Sequence, residues 1–186
     1  MIQKSNIWNK NSTWLVANLF FTEPTFSHYL KEISTRCNLA HTSTKQHLNT
    51  LQKKQLITEQ KEKKGKRYFP IYKANTSFKT FKFYKKINNL CTLEESGLIT
   101  FLKDTFQPNV IILFGSYARG DDTEQSDIDI YLQATKDNTL NLKPFEKKLH
   151  RKIELHWNKN FQEYPKELKN NISNGIIIEG YLETFP

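Results

Sequence analysis

VIILFGSYARGDDTEQSDIDI, residues 110–130, decides how this chain is read. Val110–Phe114 is its longest apolar run and reads as a fully buried strand. Gly115 then lets the backbone turn tightly. Ser116 opens a short helical turn, whose unsatisfied backbone N–H groups and hydroxyl suit an anion. The Gly115–Gly120 spacing imitates part of a Walker A loop, but Asp121 and Asp122 stand where Lys and Ser or Thr are required. Asp127 and Asp129 follow, two residues apart, in a second strand expected over Asp127–Gln133. Both carboxylates then leave one face, about 6.5–7 Å apart at Cα, while Ile128 and Ile130 point into the core. Carboxylates so placed repel each other without a cation between them. Mg2+ favours a few carboxylates completed by substrate phosphates, and two such ions about 3.5–4 Å apart activate an attacking oxygen and stabilise a leaving one.

Outward from this stretch, helices and strands alternate. Helices are expected over Thr92–Phe106, with Thr92 and Glu95 as a capping box, over Leu142–His150, and over Tyr164–Asn174, ending at Gly175. Strands are expected over Lys152–Trp157 and Ile176–Leu182, giving an α/β sheet with helices packed on it. In the strand at 152–157, Ile153, Leu155 and Trp157 share one face and Lys152, Glu154 and His156 the other. His156 either lines the site or is an exposed strand histidine, the second being the simpler reading. Tyr117 reads as packing. Arg119 is placed either to meet a phosphate or to pair with Asp121 or Asp122.

Gly115-Ser116, ten residues, then Asp127-x-Asp129 resembles the signature of the DNA polymerase β-like nucleotidyltransferase superfamily, and GSYARG…SDIDI most resembles its minimal nucleotidyltransferases. The resemblance covers roughly residues 92–186 and implies a nucleotidyltransferase fold with a mixed sheet. It implies a third carboxylate on a later strand, for which Glu154 is the candidate, although many relatives carry Asp there. Asp127, Asp129 and Glu154 are then the catalytic and metal-binding residues, for two Mg2+ ions. Gly115, Ser116 and Arg119 are the nucleotide-binding ones. The implied reaction moves a nucleoside monophosphate, AMP from ATP first of all, to a hydroxyl acceptor. Minimal nucleotidyltransferases are often antitoxins that adenylylate a HEPN-type ribonuclease toxin, so a toxin protein is the leading acceptor.

The first half reads differently. A helix over Trp14–Phe21 is capped by Ser12 or Thr13, and a second opens at Pro24 and Thr25 and carries Phe26, Tyr29, Leu30 and Ile33. After a turn at Asn38–His41, a third runs from about Thr42 to Lys54, with Thr44, Leu48 and Leu51 on one face. Leu56–Gln60 and Arg67–Tyr72 read as strands around a polar tip, Lys61–Lys66. Phe78–Leu90 reads as a connecting helix, whose aromatic start serves either a homodimer or an interdomain core. The order over residues 12–73 resembles the winged helix-turn-helix of MarR- or ArsR-like regulators. Gln55 departs from them, standing where Gly usually precedes the wing, and must strain or reshape that turn. DNA is the implied partner, contacted by Ser43, Lys45, Gln46 and His47 on the third helix and by Lys63, Lys64, Lys66 and Arg67 at the wing. His28, Cys37, His41 and His47 match no common zinc spacing.

The charge follows the same division. The chain has 186 residues and a net charge of +9. Residues 1–91 hold 17 Lys and Arg against 4 Glu and no Asp, leaving +13, and the remainder carries −4. A basic module beside an acidic one suggests different partners. The expected architecture is therefore α+β in two domains, a winged helix over 1–90 and a nucleotidyltransferase over 91–186. Cys37 and Cys91 form no CxxC pair, no stretch is apolar enough for a signal peptide or a membrane span, and a cytoplasmic enzyme is the expectation. The alternative is a DNA-binding regulator whose second half senses a nucleotide or partner without catalysis.

Overall fold

The computed structural model describes residues 11–134, 140–157 and 160–183, so the outermost ends of both expected domains lie outside the described residues. By internal contacts the chain divides between Asn88 and Asn89.

In the first unit, helix α1 (Ser12–Thr22) is capped by Asn11, one position ahead of the two expected caps. The Asn11 side-chain oxygen accepts from the amides of Thr13 (2.9 Å) and Trp14 (3.3 Å). The helix expected over Pro24–Ile33 does not form as one piece. A turn closed by Phe26 N–H to the Glu23 carbonyl leads into a strand, β1 (Ser27–Tyr29), and α2 (Leu30–Arg36) starts only after it. Long-range pairing outweighs the helical pattern here. Ser27, His28 and Tyr29 pair with Lys73, Tyr72 and Ile71, and His28 is buried against the Phe20 ring with Nδ1 2.9 Å from Glu32. Phe26, which the expected helix was to carry, is exposed.

Helix α3 (His41–Lys53) buries Thr44, Leu48 and Leu51, as its spacing predicts. Strands β2 (Ile57–Lys64) and β3 (Arg67–Ala74) form a hairpin turning at Gly65, so Lys61–Lys64 belong to the ladder and not to an open tip. The sheet order is β1-β3-β2, all antiparallel. Val16, Phe20, Ile33, Leu48, Leu51 and Phe81 form the centre of this unit's core.

Gln55, between α3 and β2, has φ +57°. Its carbonyl accepts from the Asn75 side-chain amide at 2.9 Å, which holds the turn. A left-handed conformation costs a residue with a Cβ about 1–2 kcal/mol and costs glycine little. Gln55→Gly keeps the Asn75 bond, because only the backbone of residue 55 is used. The expected result is a thermal midpoint raised by a few degrees, read from melting of the full chain; an unchanged or lower midpoint refutes the strain.

Helix α4 (Lys79–Ser96) begins in the first unit and ends in the second. It runs through Thr92 without a break, so the expected capping box at Thr92 and Glu95 is not formed. The break comes at Gly97 (φ +80°), where the Ser96 hydroxyl accepts from Leu98 N–H at 3.0 Å and starts α5 (Leu98–Phe106). The rest of the second unit comprises β4 (Val110–Phe114), α6 (Gly115–Arg119), β5 (Ile128–Gln133), α7 (Lys143–Leu149), β6 (Ile153–Trp157), a 3-10 turn at Phe161–Glu163, α8 (Lys166–Ser173) and β7 (Ile176–Gly180). The helix expected from Tyr164 waits until Lys166 because Pro165 takes its N-cap position.

The second sheet is mixed, in the order β6-β5-β4-β7. β4 is antiparallel to β5 and β7, while β5 and β6 are parallel. All five residues of β4 are buried, which explains a strand without alternation. Ile111, Leu113, Ile128, Ile130 and Leu132 meet Leu98, Leu102 and Phe106 on one face. Val110, Ile112, Phe114 and Tyr131 meet Phe161 and Ile172 on the other. Asp129 and Glu154 belong to that second face, by alternation with Tyr131 and with the core residue Ile153. Among the described residues no helix is long and apolar enough to cross a membrane.

Candidate functional site

The parallel pairing of β5 and β6 brings the chemistry together. Asp129 lies in register with Glu154, and Tyr131 with His156. One ligand atom from each of Asp129, Glu154 and His156 lies within 4.8 Å of the other two. His156 Nε2 is 3.5 Å from Glu154 Oε1, and its ring centroid is 5.4 Å from that of Phe114, the last residue of β4. Asp127 stands just before β5, not in it, and outside this group of three. Its charge still reaches Asp129. Burial foremost, then the charges of Glu154 and Asp127, push the Asp129 carboxyl above the ordinary carboxylate range, while His156 and Arg119 pull it down. Two carboxylates facing each other across adjacent strands, one of them half-buried, fit a divalent cation.

Gly115 sets how closely the turn approaches the carboxylate. Its φ is +74°, and a Cβ built there would collide with the Asp129 side chain, reaching 2.9 Å from Cγ. Ser116, partly exposed, follows in α6. Gly115→Ala therefore incurs about 1–2 kcal/mol of backbone strain and displaces the Asp129 carboxylate from its place beside Glu154. The expected result is weaker binding of a divalent cation and a modestly lowered midpoint, read by melting with and without the ion. A variant that binds the ion and melts as the wild type does rejects the close approach.

Arg119 is exposed, with Nε 3.3 Å from Asp121 Oδ2. Asp122 is held elsewhere, and a buried network around it carries the loop between α6 and β5. Arg151 Nη2 pairs with Asp122 Oδ2 at 3.0 Å, and Arg151 Nη1 donates to the carbonyls of Ser126 (3.0 Å) and Thr123. Asn89 Nδ2 donates to Asp122 (2.8 Å) and to the Tyr117 carbonyl (2.9 Å). Burial and then the Asp122 charge push the Tyr117 phenol well above its ordinary range, and its ring packs beneath the Arg151 guanidinium. The network joins the loop that delivers Asp127 to the start of the strand that carries Glu154. Sequence reading assigned Arg151 no role; only its place two residues ahead of an alternating strand pointed that way.

On the first unit, Lys45 and Gln46 are exposed on α3. Ser43 and His47 are bonded to each other at 3.2 Å, and the second ring nitrogen of His47 meets Thr13 Oγ1 at 2.9 Å, so both His47 nitrogens are engaged within the unit. Lys63, Lys64, Lys66 and Arg67 are all exposed around the hairpin turn, with Lys64 4.3 Å over the Tyr29 ring and 3.5 Å from Glu62.

Residues 96–182 match the family model described as "Polymerase beta, Nucleotidyltransferase". A Methanocaldococcus jannaschii protein named "Putative protein adenylyltransferase" is 54% identical over 37 residues, 20% of this chain and 37% of that relative. The chain thus spans little more than a third of the length of the curated relative it matches. No solved structure gives a significant match. The second unit therefore contains a nucleotidyltransferase-like domain built on a mixed sheet.

Proposed function

We propose that the protein transfers AMP from ATP to a hydroxyl acceptor in an Mg2+-dependent reaction, and that its first unit is a winged helix that binds DNA. The observation that carries the enzymatic reading is the registered pair Asp129 and Glu154 beside the Gly115-Ser116 turn. Asp127, Asp129 and Glu154 would hold Mg2+. When bound, the metal neutralises charge on the triphosphate and lowers the pKa of the attacking hydroxyl. The Ser116 hydroxyl and the amides after Gly115 bind the β- and γ-phosphates. Arg119, exposed beside the turn, meets a phosphate by exchanging its contact with Asp121. Glu154 accepts the proton of the acceptor hydroxyl as its oxygen bonds to the α-phosphorus. The bond from that phosphorus to the bridging oxygen breaks, and pyrophosphate leaves. Preorganised positioning and charge carry most of the acceleration.

A HEPN-type toxin is the proposed acceptor, the setting is the cytoplasm, and a homodimer through the winged helix fits the family resemblance. Lys45, Gln46, Lys63, Lys64, Lys66 and Arg67 support the DNA reading by exposure and charge. Ser43 and His47 reach bases only after giving up their mutual bond.

The deciding experiment incubates full-length protein with ATP labelled at the α-phosphate, Mg2+ and the candidate toxin. Label appearing on the toxin, and lost with Asp127→Ala, supports the enzyme. Nucleotide binding without transfer selects the alternative, a regulator with a sensing domain. For DNA, affinity must fall with salt and its salt slope must flatten when Lys63, Lys64 and Lys66 become Ala.

A further inference from the structure

His156 is two residues past Glu154 and shares its face of β6, where a solvated strand histidine was the simpler expectation. Its side chain is instead only 23% exposed, with the ring packed beside Phe114. Phe114 pairs directly with Asp129 across β4 and β5, so the residue that braces the imidazole also borders the carboxylate. Atoms that share one cation at about 2.0–2.2 Å stand roughly 3–3.5 Å apart, by octahedral or tetrahedral geometry. The 3.5 Å between His156 Nε2 and Glu154 Oε1 is already near that spacing, and the three residues' ligand atoms are grouped without any change of backbone.

We infer that His156 is a metal ligand, and that the Asp129–Glu154–His156 centre takes a first-row transition-metal dication in preference to Mg2+. The inference rests on the proposed metal-dependent reading of the site, adds the identity of one ligand and replaces Mg2+ as the ion the site prefers. Mg2+ binds oxygen donors almost exclusively and gives up its waters reluctantly. An imidazole nitrogen is a softer donor that suits first-row transition ions. Two carboxylates alone leave the choice to metal supply, whereas a nitrogen in the set tilts it away from Mg2+. A carboxylate has two oxygens, so Glu154 can hold the metal through one and accept the proton on the other, whereas the His156 nitrogen on the metal has no such second role.

The test uses the full chain with Mn2+ as the probe, in the absence of nucleotide. Pulsed electron paramagnetic resonance is expected to show the nitrogen modulation of a directly bound imidazole. His156→Gln is expected to lose that modulation, and its Mn2+-over-Mg2+ affinity ratio, measured by competition, to fall about tenfold or more. Mn2+ bound without nitrogen modulation, with the ratio unchanged in His156→Gln, overturns the inference and leaves the metal reading standing. Failure of the wild type to bind Mn2+ or Mg2+ without nucleotide overturns the inference, and failure with ATP also present overturns the metal reading as well. The wild-type spectrum does not depend on how the variant folds.

Discussion

Asp129→Asn is expected to lower nucleotidyl transfer about a thousandfold while raising the melting temperature of the metal-free protein. The loss follows from the several kcal/mol of charge stabilisation that a bound ion supplies to a reacting phosphoryl group. The gain follows from what the site costs when no cation is present. Burial and the neighbouring Glu154 and Asp127 raise the Asp129 carboxyl above its ordinary value. A group whose folded pKa is raised contributes stability that is complete below its unfolded pKa and lost as pH rises through the folded one. At neutral pH that contribution is gone and the ionised carboxylate repels its neighbours. Asparagine is nearly isosteric and carries no charge, so it removes the repulsion. The stabilisation should therefore be clear at pH 7–8 and vanish as pH falls below the ordinary carboxylate range. Divalent metal should raise the midpoint of the wild type and leave the variant unmoved. Equal midpoints for both proteins at neutral pH, with metal absent, would falsify the electrostatic account; transfer retained by Asp129→Asn would remove Asp129 from the reaction.

What could be read in advance divides by the range of the forces involved. The strand–glycine–serine turn and the carboxylate after it were legible because each is fixed within a few residues. Val110–Phe114 has no polar break, Gly115 sits at a position that takes a positive φ, and Asp129 alternates with Ile128 and Ile130. β1 was illegible because its partner, β3, lies more than forty residues away. Pairing with Lys73, Tyr72 and Ile71, and burial of His28 on Phe20, overrode a plausible helical spacing. The capping box at Thr92 and Glu95 is a sound local pattern, but Leu93 is buried in the core and the helix had reason to continue to Gly97. His156 shows the same limit at the site itself. Alternation placed it on the face of Glu154, yet only the fold shows that Phe114 covers it. At Gln55 an unusual residue at a glycine position pointed to a turn either strained or reshaped, and the backbone there is left-handed.

The Arg151–Asp122 pair was hidden for the same reason, since nothing local joins residues 29 apart, and it carries the second large expected effect. The Arg151 side chain is 8% exposed and that of Asp122 fully buried. Breaking such a pair from one side costs about 3–5 kcal/mol, because a charge stays buried without its counter-charge. Arg151→Met keeps most of the aliphatic stem over Tyr117 and removes the guanidinium, so its loss reports charge and hydrogen bonding more than packing. Asp122 would retain the Asn89 amide at 2.8 Å, which is a neutral donor and a poor substitute. Adding Asp122→Asn removes the stranded charge, so the double variant should be more stable than Arg151→Met alone, a coupling that denaturant melts of the four proteins in a double-mutant cycle would measure. Additive losses would mean that the two side chains act separately. The double variant has a further use. It lacks the bonds from Arg151 to the carbonyls of Thr123 and Ser126, so the loop ahead of Asp127 is untied even where the fold is restored. Its stability should return further than its transfer rate, because the fold needs the buried charge neutralised whereas Asp127 needs the loop held.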